Sequence, residues 1–433
     1  MASGVQPPPF PEDGRVNPWS VALILMAVNI LSFADRIVLA VLMPAIQTEL
    51  DLSDTQTGLL TGLAFALFYA TAGIPLARLA DAWVRKKIIG FSVIAWSVMT
   101  ALTGLATGYW QIFLARVGVG IGEAGVMPAA SSLVADLFTS RKLPMALGLL
   151  FSGAAIGVIA GPAIGGVLAE AVGWRYTLMA LLVPGLVMSL LVFKFVPEPP
   201  RSRATPGVPD GGSFMGLLRN PSFRLVVAAM SLVAFGIYGI INWLPIYYYR
   251  SFDLDLAQIG WLFGLSYGCA AALGSFGGGL LYSRFGAGRA RVAFGLAGLA
   301  SLASIPLWIA AFRADDLTVT LILAALAALF VNFVNAPLAT LVQQVVGARQ
   351  RATAVAVVGL AANLIGAGLG PLLIGMLSDY LAPVYGGDAL GVAMTVSSLV
   401  LIIPAVLLFR ATRQRITDSL DISAAASQQI SRE

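Results

Sequence analysis

Asp35, Arg36 and Glu123 are ionisable side chains set in long apolar sequence. They are the only charges between Arg15 and Glu49, in the case of Asp35 and Arg36, and between Arg116 and Asp136, in the case of Glu123. An ionisable group at bilayer depth is costly unless it is paired or faces water, and such groups mark substrate paths and proton relays. The chain contains no histidine. Protons carried near neutral pH would therefore have to ride on carboxylates, and Asp35, Glu123 or both are the candidates for proton coupling. Arg36 would pair with a carboxylate in one state and with an anionic substrate headgroup in another. A plainer alternative is a permanent bridge from Arg36 to Asp35 or Glu123 that ties two helices together.

Depth supports a shared site. The charge-poor windows 16–48 and 108–140 are centred on residues 32 and 124, so Asp35 and Glu123 fall within about 5 Å of one level at ~1.5 Å per helical residue. Arg116 precedes Glu123 by seven residues, which puts both on one helix face about 10 Å apart along the axis. Arg116 lies nearer the outer end of its segment and suits a structural role or one in substrate or charge pairing.

The elements that must position these groups are membrane-spanning helices. Of 433 residues, 58% are hydrophobic and 11% charged, and the mean hydropathy is +0.88; this is the composition of a polytopic, all-α membrane protein. With about 20 apolar residues per crossing, hydropathy gives twelve spans, starting near Trp19, Thr55, Lys87, Tyr109, Leu143, Trp174, Phe223, Leu256, Arg289, Leu317, Arg351 and Asp388. The polar, proline-rich residues 1–18 are expected to be an uncleaved tail. All lysines and arginines except Arg36, Arg116, Arg175, Arg250 and Arg313 fall on one side of these spans. The positive-inside rule then predicts that both termini are cytoplasmic, and the expected location is a plasma (bacterial inner) membrane. The net charge of +5 is thus a topology signal, and no nucleic-acid partner is expected.

Several chemistries are excluded. The single Cys269 cannot form an internal disulfide, and no metal or other cofactor is expected. No G-x-x-x-x-G-K-[ST] sequence is present to drive transport with ATP, and a histidine-based catalytic triad is impossible. The chain is not expected to be an enzyme.

Internal repetition organises the spans. Residues 161–166 (GPAIGG) recur at 370–375 (GPLLIG), an offset of 209 that Pro128 and Pro337 share, and LDLSDTQTGLL at 50–60 matches FDLDLAQIGWL at 252–262. The chain divides into a tail (1–18), a six-helix half (19–196), a Pro- and Gly-rich linker (197–222), a second six-helix half (223–410) and a second tail (411–433). Two parallel repeats joined by a linker resemble the major facilitator transporters, and the motifs sharpen that resemblance. ARLADAWVRKK at 77–87 is similar to the loop signature G-x-L-x-D-R-x-G-R-K/R, keeping Leu79, Asp81, Arg85 and Lys86 but departing at Ala77, Ala82 and Val84. The resemblance implies that Asp81, Arg85 and Asp136 gate the conformational change, with Asp81 facing the eleventh span. GVIAGPAIGG in the fifth span resembles a Gly-Pro signature of superfamily exchangers; physically, Gly157, Gly161 and Gly165 line one face for close packing.

SFADRIVLA in the first span and RVGVGIGEAGVMP at 116–128 resemble the spinster branch, transporters of lysophospholipids and sphingoid phosphates. Transporters of organic anions such as sugar acids carry similar text. In the second half no charge lies at mid-depth, and the polar groups are Asn242, Asn332, Asn335 and Asn363 among Phe235, Tyr238, Trp243, Phe330 and Phe333. Tyr238, Asn242, Trp243, Asn332 and Asn335 are expected to line a substrate cavity that is charged on one wall and apolar with amide donors on the other. An amphipathic lipid-like substrate with an anionic or zwitterionic head suits such a cavity better than a small sugar. Protons and membrane lipids are the other expected partners, and a monomer the expected state. Small organic anions or drugs on the same scaffold are the alternative substrates, and a non-transporting receptor is disfavoured.

Overall fold

Asn17 and Pro18 start the first helix: the Asn17 side chain accepts the Trp19 N–H and the proline occupies the first turn, where its missing donor costs nothing. In this computed structural model, which describes residues 17–139, 141–199, 214–286, 290–346 and 350–413, helix α1 runs Pro18–Leu50. Asp51 ends it in the left-handed conformation (φ 49°), and a Ser53–Gln56 capping box opens α2, Asp54–Ala82. The same device recurs. Helix α7, Pro221–Phe252, is capped by Asn220, ends at left-handed Asp253 (φ 49°), and gives way through an Asp255–Gln258 capping box to α8, Leu256–Phe285. The repeat at 50–60 and 252–262 is therefore a repeat of backbone geometry as well as of letters.

Helices α3 (Arg85–Gly104), α4 (Tyr109–Leu137), α9 (Arg291–Ala311) and α10 (Leu317–Val342) each cross once. Two continuous helical stretches do not. Leu143–Phe195 contains 53 residues, which would extend about 80 Å as one rod against a hydrocarbon core of ~30 Å. It turns at Gly173 (φ 81°), dividing into α5 (143–172) and α6 (174–195). Thr353–Arg410 likewise turns at Gly386 (φ 54°), giving α11 (353–385) and α12 (389–410). The ten long apolar stretches thus make twelve crossings, with starts within a few residues of the hydropathy reading. Most of the expected linker, and nearly all of both tails, lie outside the described residues.

Helix α5 lies along α1 through its glycine face. A side-chain carbon at Gly161 would come within 2.6 Å of the Ala34 Cα, one residue before Asp35. Glycine there lets the two backbones approach closely, and that approach sets where Asp35 and Arg36 stand. Gly161→Val is expected to lower thermal stability in detergent by about 1–3 kcal/mol through overpacking. An unchanged melting profile would show that α1 and α5 separate freely.

The repeat also closes one face of the bundle, the one opposite the linker. A side-chain carbon at Gly58 of α2 would collide with the Pro371 carbonyl of α11, and one at Gly260 of α8 with the Pro162 carbonyl of α5. Both glycines and both prolines are repeat-related pairs. The α2–α11 and α5–α8 seams are therefore built alike, backbone against backbone.

Candidate functional site: a cavity with a buried charge cluster

Beneath the closed face lies a cavity of about 540 Å³ between the first six helices and the last six. Phe33 and Arg36 of α1, Thr61 and Phe65 of α2 and Arg116 of α4 form its polar wall. Met230, Val233, Ile237, Tyr238 and Ile241 of α7, with Tyr267 and Ala271 of α8, face them.

Four charges meet at this wall. Arg36 binds Glu123 through two nitrogens, Nε at 2.6 Å and a terminal nitrogen at 2.5 Å, both to Oε2, and the Ser32 hydroxyl donates to the same oxygen at 2.8 Å. Its guanidinium also lies 4.6 Å from the Phe65 ring centroid, 4.9 Å from Tyr69 and 5.0 Å from Phe33. A cation held by one carboxylate and three rings is well compensated. Asp35 points elsewhere. It accepts a hydrogen bond from the Thr100 hydroxyl of α3 at 2.9 Å and makes no ion pair, although it lies within electrostatic reach of Glu123 and both arginines. It is buried behind the cavity wall and does not line it.

Arg116 has the least expected environment. It is 4% exposed, lines the cavity, and among the described residues forms neither an ion pair nor a hydrogen bond; its Nε is buried with no partner among them, and its guanidinium lies 5.3 Å from the Phe65 centroid. Leaving a buried guanidinium unpaired is costly. Of the readings the sequence left open for Arg116, substrate or charge pairing and a structural role, its place on the cavity wall suits the first. Glu123 Oε1 is a second buried polar atom without a partner.

The second half departs from expectation in two respects. Tyr238, Asn242, Asn332 and Asn335 line the cavity, with Asn363 beside them, but Trp243 does not. Its indole is wholly buried between helices, where Nε1–H donates to the Pro371 carbonyl at 2.8 Å. The amides are not simple donors to the cavity either. Asn242, Asn332 and Asn363 each donate to the carbonyl one turn back on their own helix, at 2.8–2.9 Å, and Asn335 donates to the Asn332 side chain at 3.3 Å. That wall is therefore closer to hydrocarbon than the amide count suggests. Tyr267, an α8 residue absent from the sequence reading, is part of it.

Arg85 and Asp136 come together away from the cavity. Arg85 is buried, paired with Asp136 and with Glu198 (2.9 Å), and donates to Ser132 and to the Pro199 carbonyl at 3.1 Å. Glu198, at the start of the linker, also accepts the Lys86 backbone N–H at 3.1 Å. Sequence reading missed Glu198 because it lies 113 residues from Arg85 in a loop that reads as flexible. These bonds hold the 77–87 loop to the first six helices. Asp81, in the last turn of α2, is engaged in its own interaction.

The likeness to known proteins agrees with this geometry. The family model of the Major Facilitator Superfamily matches residues 25–371 and 249–424. An MFS-type efflux pump of Mycolicibacterium smegmatis is 32% identical over 378 residues, 87% of this chain and 88% of that protein. The sphingosine-1-phosphate transporter SPNS2 of Xenopus tropicalis is 28% identical over 83% of this chain and 74% of its own. Among solved structures, a bacterial homolog of the human lysosomal transporter spinster, in an inward-facing and unoccupied conformation, superposes with a TM-score of 0.85 at 28% identity, covering 93% of this chain and 98% of that one.

Proposed function

The chain belongs to the Major Facilitator Superfamily, and from that premise we propose that it is a proton-coupled secondary transporter of an amphipathic, anion-headed lipid-like substrate, working by alternating access. The observation that carries the substrate class is the cavity's asymmetry. One wall presents the Arg116 guanidinium, bound to no carboxylate among the described residues, and the other presents apolar α7 and α8 side chains to a hydrocarbon tail. The name of the sphingosine-1-phosphate transporter SPNS2 supports the same class. The basic loops support a cytoplasmic linker face, in keeping with a bacterial inner membrane, and the lining of the cavity by one chain suits a monomer.

Protons enter through Asp35. Glu123 is committed to Arg36, whereas a proton added to or removed from Asp35 breaks no ion pair. With all four groups ionised, two arginines and two carboxylates sum to zero. A proton on Asp35 makes the cluster +1 and strengthens its hold on an anion at Arg116, so proton and substrate load together. Asp35→Asn keeps an acceptor for Thr100 and fixes the cluster at +1. It is expected to retain substrate binding and exchange but to lose accumulation driven by a pH gradient in proteoliposomes. Accumulation at the parental level would remove Asp35 from the proton path.

Likeness to the efflux pump favours a second reading, small organic anions or drugs. Liposomes with an imposed pH gradient separate the two. Lysophospholipids or sphingoid phosphates should move and compete for one binding signal, while hydrophilic carboxylates should not. Failure of every such lipid to move or bind overturns the first reading.

A further inference from the structure

We propose that Asp54, Arg250, Ser378 and Asp379 form a one-sided latch that holds the face opposite the linker closed, and that this latch must part each time that face opens. It is independent of what the cavity carries.

The contacts cross between the two sets of six helices. Asp54, at the first turn of α2, accepts Arg250 of α7 at 2.6 and 2.9 Å and the Ser378 hydroxyl of α11 at 2.6 Å. Gln47 of α1 supports both charges, donating to Asp54 at 3.0 Å and accepting from Arg250 at 3.2 Å. In the other direction, the Asp379 carboxylate of α11 accepts the backbone N–H groups of Asp54 and Thr55 at 3.0 and 2.8 Å. Those are free donors at the start of α2, where the helix dipole favours an anion. Each set of six helices thus supplies a carboxylate that the other satisfies. Charge-assisted bonds of this kind are the strong ones.

The repeat shows that the latch is an addition to the fold. Both seams have the same glycine contacts, Gly58 on Pro371 and Gly260 on Pro162. By the offsets that relate the repeats, Asp54 corresponds to Leu256, Arg250 to Thr48, Ser378 to Ala169 and Asp379 to Glu170. Two of the four polar positions are therefore lost at the α5–α8 seam, and a third, Thr48, carries no charge and donates to the Pro44 carbonyl of its own helix at 2.9 Å. The fourth, Glu170, is exposed and makes no hydrogen bond there among the described residues. A seam held only by backbone packing parts without breaking an ion pair, whereas the α2–α11 seam does not. The latch therefore sets how often the outer face opens, and the α5–α8 seam follows.

A single reporter thiol tests this. In a Cys269→Ala background, Thr61→Cys lines the cavity just beneath the closed face. In proteoliposomes where an impermeant maleimide reaches only the face opposite the linker, Arg250→Gln and Asp379→Ala are each expected to speed labelling by more than about tenfold, through loss of charge-assisted bonds. Ser378→Ala removes one hydrogen bond and should give a smaller rise, which keeps the test decisive if a charge variant fails to fold. Glu170→Ala, at the equivalent site on the other seam, should leave the rate unchanged. Parental labelling rates in the three latch variants would overturn the proposal, as would an equal rise in Glu170→Ala. The readout needs no substrate, so its failure is separate from failure of the lipid-transport reading.

Discussion

Glu123→Gln is expected to reduce pH-gradient-driven transport by about 100-fold or more and to lower stability by about 3–5 kcal/mol, the cost of leaving one member of a buried ion pair without its partner. Arg36 sends two nitrogens to Glu123 Oε2, and its position among the Phe33, Phe65 and Tyr69 rings offers no second carboxylate. The neutral amide cannot compensate the cation. Replacing both partners, Arg36→Met with Glu123→Leu, should return stability close to the parental value, because apolar groups of similar size often substitute for a buried pair without loss. Transport should stay lost. Thermal unfolding in detergent, run beside uptake in proteoliposomes, separates the two effects. Recovery of transport in the double variant would reduce the pair to a tie between α1 and α4.

Arg116→Met should show the opposite pattern. A hydrogen bond to a charged group contributes about 1.5–3 kcal/mol, so binding of an anion-headed lipid should weaken by roughly 10- to 100-fold. An analogue with an uncharged head should bind as before. Stability without substrate should hold or rise, since the variant removes a guanidinium that is 4% exposed and, among the described residues, forms no ion pair or hydrogen bond. Function lost at no cost in stability is the mark of a residue held in an unfavourable state for a ligand. Destabilisation with unchanged binding would return Arg116 to a structural role.

Much of this architecture was legible from short-range pattern. Twelve span starts, and a repeat that reappears as matched left-handed aspartates and capping boxes, follow from hydropathy and local hydrogen bonding. Depth arithmetic brought Asp35 and Glu123 to one level because helix rise is fixed. Rotation about the helix axis was less accessible. Adjacent in sequence, Asp35 and Arg36 point about 100° apart on a helix, so one reaches Thr100 and the other Glu123. The same ambiguity put Trp243 in the cavity, when its N–H faces Pro371. Arg116 was left between two roles because depth does not fix environment: whether a side chain at a given level meets a partner or a cavity depends on neighbouring helices. The latch joins residues 325 positions apart. One signal was available, since Asp54 stands where the repeat has Leu256, a polar residue added to an otherwise conserved pattern.

The equality of positive and negative side chains around the cavity has an electrical consequence. Empty, with Asp35 ionised, the cluster carries no net charge, and under the proposed coupling a proton taken up with a monoanionic substrate would restore that neutrality. Both forms that reorient are then electroneutral. Moving one elementary charge across the membrane is worth about 2.3 kcal/mol per 100 mV, and this transporter would forgo that force, drawing on the pH difference alone. Its rate with a monoanionic lipid should therefore be indifferent to membrane voltage, while a zwitterionic lipid carried with the same proton would generate a current.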